Sequence, residues 1–319
     1  MTNYKFIKLR EWININKLNW DYLSNNPNAI DLLKENPDKI NWSSLSMNTN
    51  GIEILQNNID KIEWKILSKN PNAISLLKKN PDKIYWTYLS INPNAIELLK
   101  KNQDKIDWFW LSSNPNAIQL LKDNPDKIYW SNLTKNPNAI EILKENQDKI
   151  NWYYLAININ AIEIIKNNQN KICWKLLSGN YNAIELLEKN QDKIDWNYLS
   201  INHKAIKLIN NNIEKIDWYF YLTQNKNFNL LSYNYNLIDW NILSSNPTAI
   251  ELLEKNQDKI NWNLFSSNPA IFTYDYQEIK NKNQDLNQEI IQKALHPTRM
   301  LRLMNEYGED EIYKCFFDD

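Results

Sequence analysis

The sequence predicts an all-α fold, an α-solenoid of about twelve 22-residue helix-turn-helix repeats with divergent caps. Three observations carry this expectation. Tryptophan recurs at Trp20, Trp42, Trp64, Trp86, Trp108, Trp130, Trp152, Trp174, Trp196, Trp218, Trp240 and Trp262, and every interval is 22 residues. Ten of the eleven prolines follow an asparagine in that same register. Only three glycines, Gly51, Gly179 and Gly308, occur in 319 residues. That is too few for the tight turns and phosphate loops of most α/β enzymes.

With tryptophan as position 1, the unit reads W-x-x-L-S-x-N-P-N-A-I-x-L-L-K-x-N-[PQ]-D-K-I-x. Asparagine accepts an orphan N–H of a first helical turn, and proline suits the position after it. The asparagines at positions 7 and 17 therefore predict two helix starts per unit, with helices of roughly 8–9 residues. In the first helix positions 11, 13 and 14 cluster, as in Ile30, Leu32 and Leu33. In the second, positions 21, 1 and 4 do so, as in Ile40, Trp42 and Leu45. The tryptophan and both isoleucine positions are expected to be buried. Helices this short persist only by stacking on neighbouring units. An open stack of twelve units at ~10 Å each predicts a rod on the order of 100 Å long.

Both ends leave the pattern, which gives three segments: an N-terminal cap (1–19), the tandem-repeat solenoid (20–269) and a C-terminal helical cap or tail (270–319). Trp12 lies out of register in the first, and the last ends in a helical stretch around Leu295–Tyr307. The unit Trp218–Asp239 lacks proline and carries Tyr221, Lys226 and Leu237 at usually fixed positions, so a local change of curvature is expected there.

The charge balance is near neutral, with 37 Lys+Arg against 38 Asp+Glu and a net charge of −1. No global field favours nucleic acid or an anionic membrane. No apolar run reaches the ~20 residues of a membrane span, and the first residues, with Lys5, Lys8, Arg10 and Glu11, show no signal-peptide core. Cys173 and Cys315 form no metal or disulfide spacing. A soluble, cytoplasmic, reduced protein is expected, without cofactor or metal.

The repeated residues have structural explanations. Tryptophan fills the gap between units, and the asparagine rows cap helices. The lysine row at position 20 (Lys39, Lys61, Lys83, Lys105, Lys127, Lys149, Lys171, Lys193, Lys215, Lys259) could track phosphates. Aspartates beside it, such as Asp38, Asp82 and Asp104, point instead to a charge-balanced surface. Glu97 and Lys101 are spaced for an i,i+4 pair. Neither His203 nor His296 has partners suggesting catalysis.

Partner choice must reside where units differ, at positions 2, 3, 6 and 22. Their occupants supply the candidate partner-binding residues Tyr85, Ile91, Phe109, Trp110, Tyr129, Tyr153 and Ile157, with Tyr88, Tyr154, Tyr198, Ile201 and Tyr219 in the same rows. Between Tyr85 and Ile157 they predict a contiguous aromatic stripe of the kind that marks protein interfaces.

The motif N-P-x-x-I-x-x-L…N-P-D-K-I-x-W-x-x-L-S, as in Asn70–Ser90, resembles the short tandem repeats of mimivirus-type giant-virus proteins. The tail His296-Pro297-Thr298-Arg299 with Tyr307-Gly308-Glu309-Asp310 resembles one found on the same class. More distantly, Asn/Asp-Pro at helix starts is similar to leucine-rich variant and HEAT-like α-solenoids, although the former's iron–sulfur cysteines are missing here. What these resemblances imply is an interaction role in a viral setting, in host cytoplasm or virion, with no catalytic residue to carry over. The function expected is a non-catalytic protein–protein scaffold. The alternatives are a self-assembling structural or virion component, which would make a homo-oligomer, and nucleic-acid binding along the lysine row.

Overall fold

The computed structural model describes residues 6–218, 221 and 239–308. The chain divides into two compact units, a repeat body (Glu11–Ile271) and a flanking body made of both chain ends (Met1–Arg10 with Phe272–Asp319). The all-α repeat architecture is as predicted, but the helices are shorter and differently capped. The degenerate unit, apart from Trp218, Tyr221 and Asp239, lies outside the described residues, as do Tyr219 and Cys315.

Each described unit opens with a helix of four to six residues beginning at its tryptophan, as in Trp20–Ser24, Trp42–Met47 and Trp64–Leu67. Its N-cap is position 22, one of the variable positions. Where that residue is Asn or Asp, its side-chain oxygen accepts a backbone N–H of the first turn, as at Asn41, Asp107, Asn151 and Asp195. The second helix begins at the position-11 isoleucine, as in Ile30–Glu35 and Ile96–Lys100, and has no side-chain cap. Position 17 closes this helix instead of opening the next: Asn36 Nδ2 donates to the Leu32 carbonyl at 2.9 Å, satisfying an orphan acceptor of the last turn. A single 3₁₀ turn follows, Pro37–Lys39. Asparagine carries both a donor and an acceptor, so its presence before proline does not fix which helix end it serves.

Position 7 joins consecutive units. Asn114 Nδ2 donates to the carbonyls of Ser90 and Asn92 in the preceding unit, both at 3.0 Å, while its Oδ1 accepts the Asn116 N–H. Asn116 Nδ2 reaches the Pro93 carbonyl at 2.9 Å. The same bonds recur at Asn48, Asn70, Asn92 and Asn136. These asparagines are buried, and between them lie rows of buried leucine and alanine at positions 4, 14 and 10, such as Leu111, Leu121 and Ala117. Within a unit the position-5 hydroxyl bonds twice: Ser112 Oγ donates to the Trp108 carbonyl and accepts the Tyr129 N–H.

The tryptophans are half-buried, not buried as expected. Their outer faces are covered by the position-20 lysines. Lys39, Lys61, Lys105, Lys127, Lys149, Lys171, Lys193, Lys215 and Lys259 each place Nζ 4.6–4.9 Å from the ring centre of the tryptophan in their own unit. The position-11 isoleucines are mostly half-buried too, whereas those at position 21 are nearly all buried. Glu97 pairs with Lys100 at 3.0 Å rather than with Lys101.

The array is not an open rod. Asn26, in the first unit, donates to the carbonyls of Ser266 and Asn268 at 3.0 Å, and Asn28 donates to the Pro269 carbonyl at 3.0 Å. The two Asn26 bonds are those that link consecutive units at Asn48 through Asn202 and at Asn268, and the Asn28 bond is the one that recurs where position 9 is asparagine. The unit begun by Trp262 is completed from the other end of the chain. Lys17 lies over the Trp262 ring at 4.8 Å, and the Asn19 N–H donates to Ser266 Oγ at 2.8 Å. Ile15–Lys17 form its 3₁₀ turn, and Leu18 fills the place of the position-21 isoleucine. Residues 11–19 therefore belong to the repeat body as the second half of a split twelfth unit, not to a separate cap at 1–19. The repeat body therefore closes on itself, its first and last units joined by the bonds that join neighbours along the chain. At the seam Phe265 replaces the usual leucine, and Trp12 packs on it at 5.7 Å between ring centres.

In the flanking body Ile7–Leu9 pairs antiparallel with Phe272–Tyr274, in the register Ile7 to Tyr274. Two helices follow, Tyr276–Ala294 and Pro297–Tyr307, the second matching the helical tail expected near Leu295–Tyr307. Gly308, the one positive-φ residue among those described, at φ 95°, ends it in a conformation that glycine adopts without a Cβ clash.

Candidate interaction surface

The Trp helix buries positions 4 and 5 and turns positions 2, 3 and 6 outward, since these lie on the opposite side of so short a helix. Within a unit and between neighbouring units these side chains meet. Phe109 makes edge contacts with Trp110 (5.2 Å between centres) and Tyr129 (5.5 Å). Trp110, Ile91, Tyr88, Thr87 and Lys69 line one hollow, and Tyr88, Lys69, Met47, Ile66, Asn70 and Pro71 line the next. The result is one apolar surface running from Tyr129 to Met47. Phe109, Trp110 and Tyr129 are 42%, 40% and 51% exposed, and Ile91 is half-buried. Position 3 is therefore not uniformly packed away: Tyr88 and Trp110 are exposed, Tyr154 and Tyr198 half-buried, and Asn132 buried.

The predicted continuous stripe is interrupted. The unit starting at Trp130 offers Ser131, Asn132 and Lys135 at these positions, and Asn132 Nδ2 is turned inward to the Phe109 carbonyl at 2.7 Å. Tyr153, exposed, makes its ring contact with Tyr154 at 5.3 Å, and Lys135 lies over Tyr154 at 3.8 Å. Ile157 is exposed. The structure thus brings Ile91, Phe109, Trp110 and Tyr129 together, and shows no ring contact from them to Tyr153 among the described residues. Tyr85 is exposed at the N-terminus of its helix. Met47 and Lys69 were not singled out in the sequence, because a lone methionine and lysine in variable positions give no signal until their neighbours are known.

Tyr85 and Tyr129 stand where other units place an N-capping Asn or Asp, and neither caps its helix. Beside Phe109 and Tyr129 a broad cleft of about 670 Å³ carries Asp104, Asp107, Asp126, Lys105 and Lys127 as well, so that side is charge-balanced. The remaining candidates offer no chemistry. His203 contacts the Tyr181 ring at 5.0 Å, and His296 lies on an open surface hollow with Lys293, Arg299 and Arg302. No group of three His, Cys, Asp or Glu is placed to hold a metal among the described residues. No described helix is long and apolar enough to cross a membrane. Compared with protein-family models, curated proteins and solved structures, the chain matches none.

Proposed function

We propose that the chain is a non-catalytic interaction scaffold, with the ring as a rigid support and the Met47–Tyr129 surface as the place where a protein partner binds. One observation carries the reading: exposed aromatic and aliphatic side chains meet across consecutive units at positions the fold leaves free. Contiguous exposed apolar surface on a soluble repeat body marks an interface, and rigid aromatic anchors supply most of the energy of one. The lysine row argues against phosphate tracking, since nine of its members already sit on tryptophan rings. Closure of the ring also leaves no free array end for head-to-tail stacking into filaments.

The test compares wild type with the double variant Phe109→Ser/Trp110→Ser in quantitative co-purification and in sedimentation across a concentration series. Loss of a partner at unchanged melting temperature is the expected result. Unchanged capture by the variant overturns the assignment of the surface. Mass growth with concentration that this variant abolishes would put self-assembly in its place.

A further inference from the structure

Two hollows lie side by side on this surface, and one lysine stands in both. The larger, about 340 Å³, is lined by Met47, Ile66, Lys69, Asn70, Pro71 and Tyr88. The smaller, about 130 Å³, is lined by Lys69, Thr87, Tyr88, Ile91 and Trp110. Lys69 is the single charged group in either lining. It is exposed, and no ion pair among the described residues involves it. Lys65 stands nearby, with Nζ 5.5 Å from the Tyr88 ring centre.

The wider face has the same sign. Over the described units, positions 2, 3 and 6 hold Lys65, Lys69, Lys135 and Lys175 against one acid, Asp21. Asp21 in turn accepts a hydrogen bond from Asn41 Nδ2. The acidic residues of this nearly neutral chain are concentrated at positions 12 and 19, with Asp104, Asp107 and Asp126 gathered at the Phe109–Tyr129 end of the surface and none in the lining of the two hollows.

We infer that the two hollows seat a short segment of an acidic polypeptide, with one apolar side chain in each and a carboxylate between them on Lys69. The inference rests on the interaction reading above and names the chemistry of its partner. The physical reason is desolvation. Any occupant that fills both hollows lies against Lys69, the one charged residue common to their linings, and drawing water from a cation without a counter-charge is costly. A neutral or basic segment bears that cost; an acidic one converts it into a charge-assisted hydrogen bond. A nucleic-acid strand fits less well, because its phosphates come in series and need several cations in a row, whereas one lysine serves both hollows here.

The test is selection of a random-peptide display library on the intact chain, read by sequencing, with Trp110→Ser, Lys69→Glu and Lys69→Gln as comparison baits. The expected consensus holds Asp or Glu between two apolar residues and is lost on Trp110→Ser. A synthetic peptide of that consensus should weaken about tenfold or more on Lys69→Glu, and its Asp/Glu→Lys version should regain binding to that variant. Lys69→Gln, which keeps size and removes charge, should fall between. Trp110-dependent peptides that are neutral or basic at that place, or that bind Lys69→Glu as well as wild type, overturn the acidic assignment and leave the interaction reading standing. If no Trp110-dependent peptide is enriched, both fail.

Discussion

At the scale of single residues, asparagine does most of the organising. Asn114 makes two donor bonds to buried carbonyls of the unit before it and accepts one N–H in its own. Asn114→Ala leaves these groups unpaired in a site closed to water, where each unsatisfied group costs ~1–3 kcal/mol. A loss of about 3 kcal/mol in urea denaturation is expected. Asn116→Ala, at an exposed bond, should lose under ~1 kcal/mol. Equal losses would contradict the burial argument. Tyr221 gives a second, pH-dependent test. Burial raises its phenol above the ordinary value of 10.0. A raised folded-state pKa means the contribution is intact below pH 10 and is lost as pH rises through the folded value. Tyr221→Phe should therefore flatten the fall of stability above pH 10, measured against wild type at matched pH.

At the scale of the element, the short helices show a trade between stability and surface. A side-chain cap at position 22 is worth ~1 kcal/mol. Units with Asn41, Asp107, Asn151 or Asp195 have it, whereas those beginning after Tyr85 and Tyr129 do not. Tyr85→Asn should accordingly raise stability by about 1 kcal/mol, seen as a higher denaturation midpoint with unchanged slope. If the residue were retained for packing, the midpoint would drop instead. The lysine–tryptophan stack sets the other element-scale expectation. An exposed cation–π contact contributes ~0.5–1 kcal/mol, so Lys127→Gln should destabilise by about that much, while Lys83→Gln should change little. Lys83 carries no such contact and instead pairs with Asp82 at 3.5 Å.

At the scale of the whole molecule, the repeat body is closed by a unit drawn from both ends of the chain. Spin labels on cysteines introduced at Asn25 and Ser267 test this directly. In an open array of twelve units at ~10 Å each they would be on the order of 100 Å apart; in the ring they sit in adjacent units. A long distance would refute closure. Deleting residues 1–19 should remove the second half of the split unit and uncover Trp262. Hydrogen exchange should then rise first in the units at Trp20 and Trp240–Ile271, because coupling along a repeat array is between neighbours. A uniform loss of protection would contradict that picture.

What the sequence determined by itself was the period, the all-α class and the leucine and position-21 isoleucine rows of the core, because a 22-residue apolar register must bury one face of each short helix; the tryptophans and position-11 isoleucines, expected in that core, are half-buried. The direction in which each asparagine bonds was not readable, since one carboxamide can cap a helix N-terminus, close a C-terminus or bridge to the next unit with the same letter in the same place. Nor was the lysine's place on the tryptophan, which depends on how a 3₁₀ turn folds position 20 back over position 1. The variable positions were legible as a surface, and the Ile91, Phe109, Trp110 and Tyr129 cluster was among them. Its separation from Tyr153 was settled by one inward-turned asparagine, Asn132. Above all, the tertiary structure alone decided rod or ring. Curvature is a small rotation per unit, invisible in any single repeat, and it becomes a topology only when twelve such steps bring Lys17 onto Trp262.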